Sequence, residues 1–109
     1  MAYNEQLANR VRATLEGDPG ITERKMFGGL AFMANGHMAC GIAGDELMLR
    51  LGTEGAENAL KRAHVRPMDF TGRPMKGMVF VEPEGLRGAA LGRWVTRAMT
   101  FARTLPPKG

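Results

Sequence analysis

Leu30-Ala31-Phe32-Met33-Ala34-Asn35-Gly36-His37-Met38-Ala39-Cys40-Gly41-Ile42-Ala43-Gly44-Asp45-Glu46-Leu47-Met48-Leu49-Arg50-Leu51 is the stretch that decides the fold. Asn35-Gly36 suits a two-residue type I′ hairpin turn, in which both central residues take positive φ, and Gly44-Asp45 is a second plausible two-residue turn. Together they predict a three-stranded meander over about Lys25 to Ala34, His37 to Ala43 and Glu46 to Leu51. Two-residue turns set the register, with Ala34 opposite His37 and Ala43 opposite Glu46. Alternation then collects Ala31, Met33, Met38, Cys40, Ile42, Leu47, Leu49 and Leu51 on a core face. The reverse face receives Leu30, Phe32, His37, Ala39, Gly41, Glu46, Met48 and Arg50, with an apolar centre and charged ends.

Working outward, Tyr3, Leu7, Val11 and Leu15 recur every four residues with polar residues between them, which predicts an amphipathic helix. Gly17-Asp18-Pro19-Gly20 stops it. Arg24-Lys25-Met26-Phe27-Gly28-Gly29 then runs directly into the first predicted strand. No helix N-terminus or Gly-Lys-Ser/Thr sequence follows the glycines, so they read as backbone geometry and Arg24 and Lys25 as surface charge.

Beyond Leu51, Thr53 is placed to cap a short helix over Glu54 to Arg62, with Ala56, Ala59, Leu60 and Ala63 facing inward. Met68 to Thr71 and Met75 to Val81 read as strands joined near Gly72-Arg73. Leu91, Trp94, Val95, Ala98, Ala102 and Leu105 form one stripe of a long helix that Pro106-Pro107 ends. The order α-β-β-β-α-β-β-α describes an α+β domain, an antiparallel sheet layered against helices, filling residues 1–109 as one domain.

Composition narrows the function. The 109 residues are 44% hydrophobic and 24% charged, ordinary for a packed domain. The single cysteine, Cys40, excludes an internal disulfide, and no N-terminal run resembles a secretory leader, so the cytoplasm is the expected compartment. No segment is apolar for long enough to span a bilayer, and no membrane partner is expected. The net charge of +4 is spread along the chain.

No set of residues marks an active site. His37 and Cys40 are an odd number of positions apart on a strand and no second Cys-His pair exists, so neither a metal nor a cofactor is expected. The carboxylates serve turns and helix starts and do not converge as general acid–base chemistry requires. The chain is therefore read as non-enzymatic. Leu30, Phe32, Met48 and Arg50 on the reverse face are the candidate protein interface, with homodimerisation its simplest use. Arg93, Arg97 and Arg103 on the polar side of the last helix are the candidate nucleic-acid contacts, the alternative reading, with a solvated face the more ordinary role for them. A small-molecule site between sheet and helices is a further alternative.

Arg24-Lys25-Met26-Phe27-Gly28-Gly29, followed by Leu30-Ala31-Phe32, Asn35-Gly36 and Gly44-Asp45-Glu46-Leu47-Met48-Leu49-Arg50, resembles the N-terminal domain of the TfoX/Sxy competence-regulator family. Pro67-Met68, Phe70, Gly72-Arg73-Pro74-Met75 and Val79-Phe80-Val81-Glu82-Pro83 resemble that family's second half. The resemblance implies a two-layer α+β fold like that of secretion chaperones. It also implies a bacterial regulator that works with a transcription factor, the cyclic-AMP receptor protein in characterised members, on DNA-uptake genes. Those members carry a further helical C-terminal domain. This sequence ends at Pro106-Pro107-Lys108-Gly109, so a stand-alone N-terminal domain is expected.

Overall fold

Asn4 opens the first helix: its side-chain oxygen accepts from the Leu7 amide, satisfying one of the donors a helix start leaves unpaired. In the computed structural model, which describes residues 3–26, 28–70 and 73–106, helix α1 spans Glu5–Thr14. Strands β1 (Ile21–Met26), β2 (Gly29–Ala34), β3 (His37–Ala43) and β4 (Glu46–Arg50) follow, then helix α2 (Gly52–Ala59). Strands β5 (Val65–Phe70) and β6 (Arg73–Val81), a 3-10 turn at Pro83–Leu86 and helix α3 (Ala90–Ala102) complete the chain. The strands form one antiparallel sheet in the order β1-β2-β3-β4-β6-β5. The α+β, two-layer plan predicted from the sequence is the plan observed.

The expected strand over Lys25 to Ala34 is two strands. Ile21–Met26 pairs back on Gly29–Ala34, so the meander has four strands and the sheet six. Gly28 lies in the turn between them with φ of +72°, a value that favours glycine. Gly29 has a different reason to lack a side chain, since a Cβ there would lie 2.1 Å from the Ile42 carbonyl oxygen. The motif residue Phe27 lies outside the described residues. Strand β1 escaped the sequence reading because Thr22, Glu23, Arg24 and Lys25 are exposed and carry no apolar alternation. Charged residues suit an edge strand, which must avoid pairing with other chains.

Both central residues of the Asn35-Gly36 turn have positive φ (+53° and +87°), and Ala34 pairs with His37 as expected. The register then slips. Met33 pairs with Met38 but Phe32 pairs with Cys40, leaving Ala39 as an extra residue in β3. A one-residue slip exchanges the two faces of a strand pair. Leu30, Phe32 and Ala34 therefore join Cys40, Ile42, Leu47 and Leu49 in the core beneath the helices. Met33, paired with Met38, and Ala31, paired with Gly41, fall on the reverse side, contrary to expectation. The Gly44-Asp45 turn and the pairing of Ala43 with Glu46 follow the prediction.

Helix α2 begins at Gly52, and Thr53 does not cap it: no side-chain bond closes that end. Ala56 and Ala59 face the core as expected, whereas Leu60 and Ala63 are exposed past the last turn. Strands β5 and β6 meet with Phe70 opposite Arg73; Thr71 and Gly72 of the expected connection lie outside the described residues. Helix α3 packs on β3, β4 and α1, while α2 packs on β6. Leu91, Trp94, Val95, Ala98 and Ala102 are buried as predicted, each large side chain contributing about 1.5–3 kcal/mol before ordering entropy. The helix ends before Pro106, while Pro107 lies outside the described residues.

Candidate functional site

The four residues expected to form one protein-binding face do not share one. Leu30 (3% exposed) and Phe32 (1%) belong to the helix-side core. Met48 is fully buried on the opposite side, where it clusters with Met78 and Phe80, and Arg50 is half-buried. Met48 also reaches across the space that a side chain on Gly41 would need. Arg66 closes part of this reverse cluster. Its guanidinium carbon lies 4.4 Å from the Phe80 ring centroid, and its Nε donates to Glu46 at 3.0 Å. Among the residues whose burial is described, Leu60 is the one large hydrophobic side chain that is exposed.

The described residues of the family motif flank the turn from β1 into β2. Arg24 and Lys25 are exposed on β1, Met26 ends that strand, and Gly28 and Gly29 shape the turn into β2. Cys40 is fully buried, and burial pushes its thiol up to about 12, so little thiolate forms near neutral pH. His64 comes together with Glu82 and Glu84, their potential ligand atoms within 4.8 Å of one another. The spacing of these residues along the chain does not mark the group. Exposed groups of this kind are common on protein surfaces, and we assign no metal to them.

The predicted arginines divide. Arg103 lies 3.6 Å from Asp18 and serves as an ion pair between the end of α3 and the loop after α1. Arg93 and Arg97 lie one helical turn apart on α3 and line a cleft of about 200 Å³ with Arg62, Ala90 and Trp94. Arg62 follows α2, and packing alone brings it to α3, so sequence spacing could not reveal it. Its guanidinium carbon lies 5.8 Å from the Trp94 ring centroid and that of Arg97 lies 5.0 Å away, both within cation–π range. A planar guanidinium placed over a ring retains N–H groups at its edge for a carboxylate or phosphate.

The arginines of this cleft are among several, with Arg10, Arg24, Arg50 and Arg87, that have no carboxylate within 4.0 Å among the described residues. Arg12, Arg66 and Arg103 each meet a carboxylate. Among the described residues no carboxylate oxygen lies within 4.0 Å of Arg62, Arg93 or Arg97. Helix α3 starts beside them with Ala90, has no side-chain cap, and has no acidic residue in its first turn. Its positive end is thus not offset by its own sequence. Next to the cleft, Ala89, Gly92 and Thr96 line a shallow groove of about 600 Å³ whose remaining walls are again Arg93 and Arg97.

Over residues 13–102 the sequence matches the TfoX N-terminal domain. The chain belongs to that family. No curated protein and no solved structure matches it. The matched span of this TfoX N-terminal domain begins within α1 and closes with the last residue of α3, so it takes in all six strands and the arginine cleft. Among its described residues no helix is long and apolar enough to cross a membrane.

Proposed function

We propose that this TfoX N-terminal domain is a non-enzymatic, cytoplasmic regulatory module of a bacterium, a transcriptional co-regulator of the competence-regulator kind that acts by contact with a partner protein. The observation that carries the reading is the groove on α3, where Arg93 and Arg97, with no carboxylate partner among the described residues, flank the small residues Ala89, Gly92 and Thr96. A partner offering acidic side chains around an apolar ridge complements that surface, and opposite charge both steers and orients such encounters. This surface replaces the buried set around Leu30, Phe32 and Met48.

The test is transcription in vitro from a DNA-uptake promoter with RNA polymerase and the cyclic-AMP receptor protein. The wild-type chain should raise transcript yield, and R93E/R97E should lose about tenfold or more of that effect, as for the loss of well-placed interface charges. Equal yields with and without the chain would reject the function; equal yields from both proteins would reject the surface.

A second reading, direct contact with nucleic acid, draws on the same arginines. Three phosphates neutralised by Arg62, Arg93 and Arg97 would give duplex DNA affinity a slope of about −2.7 against salt on logarithmic axes. Salt-insensitive binding, or none, would remove it.

A further inference from the structure

We propose that the cleft between the end of α2 and the start of α3 is a binding site for a small phosphate monoester or inorganic phosphate, held by Arg62, Arg93 and Arg97. The proposal rests on the reading of Arg93 and Arg97 as recognition groups without a carboxylate partner among the described residues, and adds Arg62, which lines the cleft but not the neighbouring groove.

Three features point to phosphate. The first is charge: three arginines line one cleft, and no carboxylate oxygen among the described residues lies within 4.0 Å of them. A single carboxylate would leave most of that charge unmatched, whereas a phosphate monoester brings about −1.5 to −2 and three acceptor oxygens at neutral pH. The second is geometry. Arg62 and Arg97 approach the Trp94 ring from two different elements, at 5.8 and 5.0 Å from its centroid, which brings their charges to the same cleft. The third is the uncapped start of α3, whose first residue lines the same cleft and adds partial positive charge.

Size sets the class. A cleft of about 200 Å³ has room for a phosphate group and a short substituent. Trp94 is only 6% exposed, so its ring supports the arginines from below and offers no open face on which a base could stack. These limits favour a phosphate head over a nucleic-acid strand.

Trp94 is the sole tryptophan, so intrinsic fluorescence reports on this cleft directly. The full chain is titrated with inorganic phosphate, phenyl phosphate and a short DNA duplex, each at constant ionic strength with chloride as reference, and calorimetry repeats each titration. Saturable binding of phosphate or phenyl phosphate is expected, and comparison of the two shows whether an ester substituent contributes. R62Q and R97Q should each weaken binding by about tenfold or more, while R103Q should leave it unchanged. A rise in melting temperature with phosphate in the wild type alone provides a second readout.

A response that follows ionic strength only, or that R62Q leaves intact, overturns the proposal. So does binding of duplex, or of nothing, without binding of inorganic phosphate or phenyl phosphate. R62Q also separates the two readings: loss of phosphate binding with full co-regulator activity retains both, whereas phosphate binding without any co-regulator effect of the wild type retains the ligand site alone.

Discussion

Phe32 stands opposite Cys40 across β2 and β3, one residue further along β3 than an unbroken register from the Asn35-Gly36 turn would place it. The extra residue, Ala39, turns Leu30 and Phe32 from the reverse of the sheet into the core beneath α3. Phe32 is therefore a residue of stability. Phe32→Ala should lower the unfolding free energy by about 3–5 kcal/mol, the usual cost of removing a buried ring. Urea unfolding followed by circular dichroism checks this, and a loss below about 1 kcal/mol would contradict its placement.

The two glycines of the Met-Phe-Gly-Gly motif should respond differently to alanine. At Gly28 there is open space around an added Cβ, but φ is +72°, so Gly28→Ala should cost about 1–2 kcal/mol through backbone strain. At Gly29 the added carbon would meet the Ile42 carbonyl at 2.1 Å, and backbone cannot yield as a side chain can. Gly29→Ala should cost more than Gly28→Ala, about 3 kcal/mol or above, by displacing β3 from β2. Parallel thermal melts of the two variants give the order.

Cys40 gives a pH prediction with a definite sign. Its folded value is raised to about 12, above the ordinary 9.0, so between these values the unfolded chain binds fewer protons than the folded one. Stability from this group is complete below about pH 9 and falls as pH rises toward 12, by up to ~1.4 kcal/mol per pH unit. Cys40→Ala should flatten that alkaline limb in denaturant titrations. At pH 8 a thiol reagent should modify the folded protein no faster than it unfolds.

Arg12 joins α1 to β1 through two hydrogen bonds to Glu23, at 2.7 and 2.8 Å. The guanidinium holds the Glu23 carboxyl below its ordinary 4.5. The associated stability is present above that value and is lost as pH falls through the lower folded one. Both side chains are more than a third exposed, so Glu23→Gln should cost only about 0.2–1 kcal/mol at neutral pH. Comparison of acid-unfolding midpoints for the two proteins measures it.

Legibility in the sequence followed the range of the interactions. Asn35-Gly36 and Gly44-Asp45 act within a few residues, so the hairpins and their starting registers could be read directly. The apolar stripe of α3 was equally plain, because its period matches one continuous buried face. The extra residue at Ala39 has no local marker: alternation continues through it, and packing against α3 decides which side each residue takes. Strand β1 was hidden because Glu23, Arg24 and Lys25 face solvent at an edge, where no apolar pattern is needed. At the arginine cleft, the four-residue spacing of Arg93 and Arg97 was visible, but Arg62 arrives through tertiary contact. The pairing of Arg103 with Asp18 likewise depends on tertiary contact and has no mark in the sequence.

Strand β4 has β3 along one edge and β6 along the other, α3 over one face, and the cluster of Met48, Met78 and Phe80 on the other. Water reaches its amides only when the whole domain opens. Hydrogen exchange at Leu47, Met48 and Leu49 should consequently run at the rate set by global unfolding, while exposed Arg24 and Lys25 at the β1 edge exchange through local fraying. The slowest-exchanging peptide of this protein is thus a direct gauge of its total stability, available without denaturant.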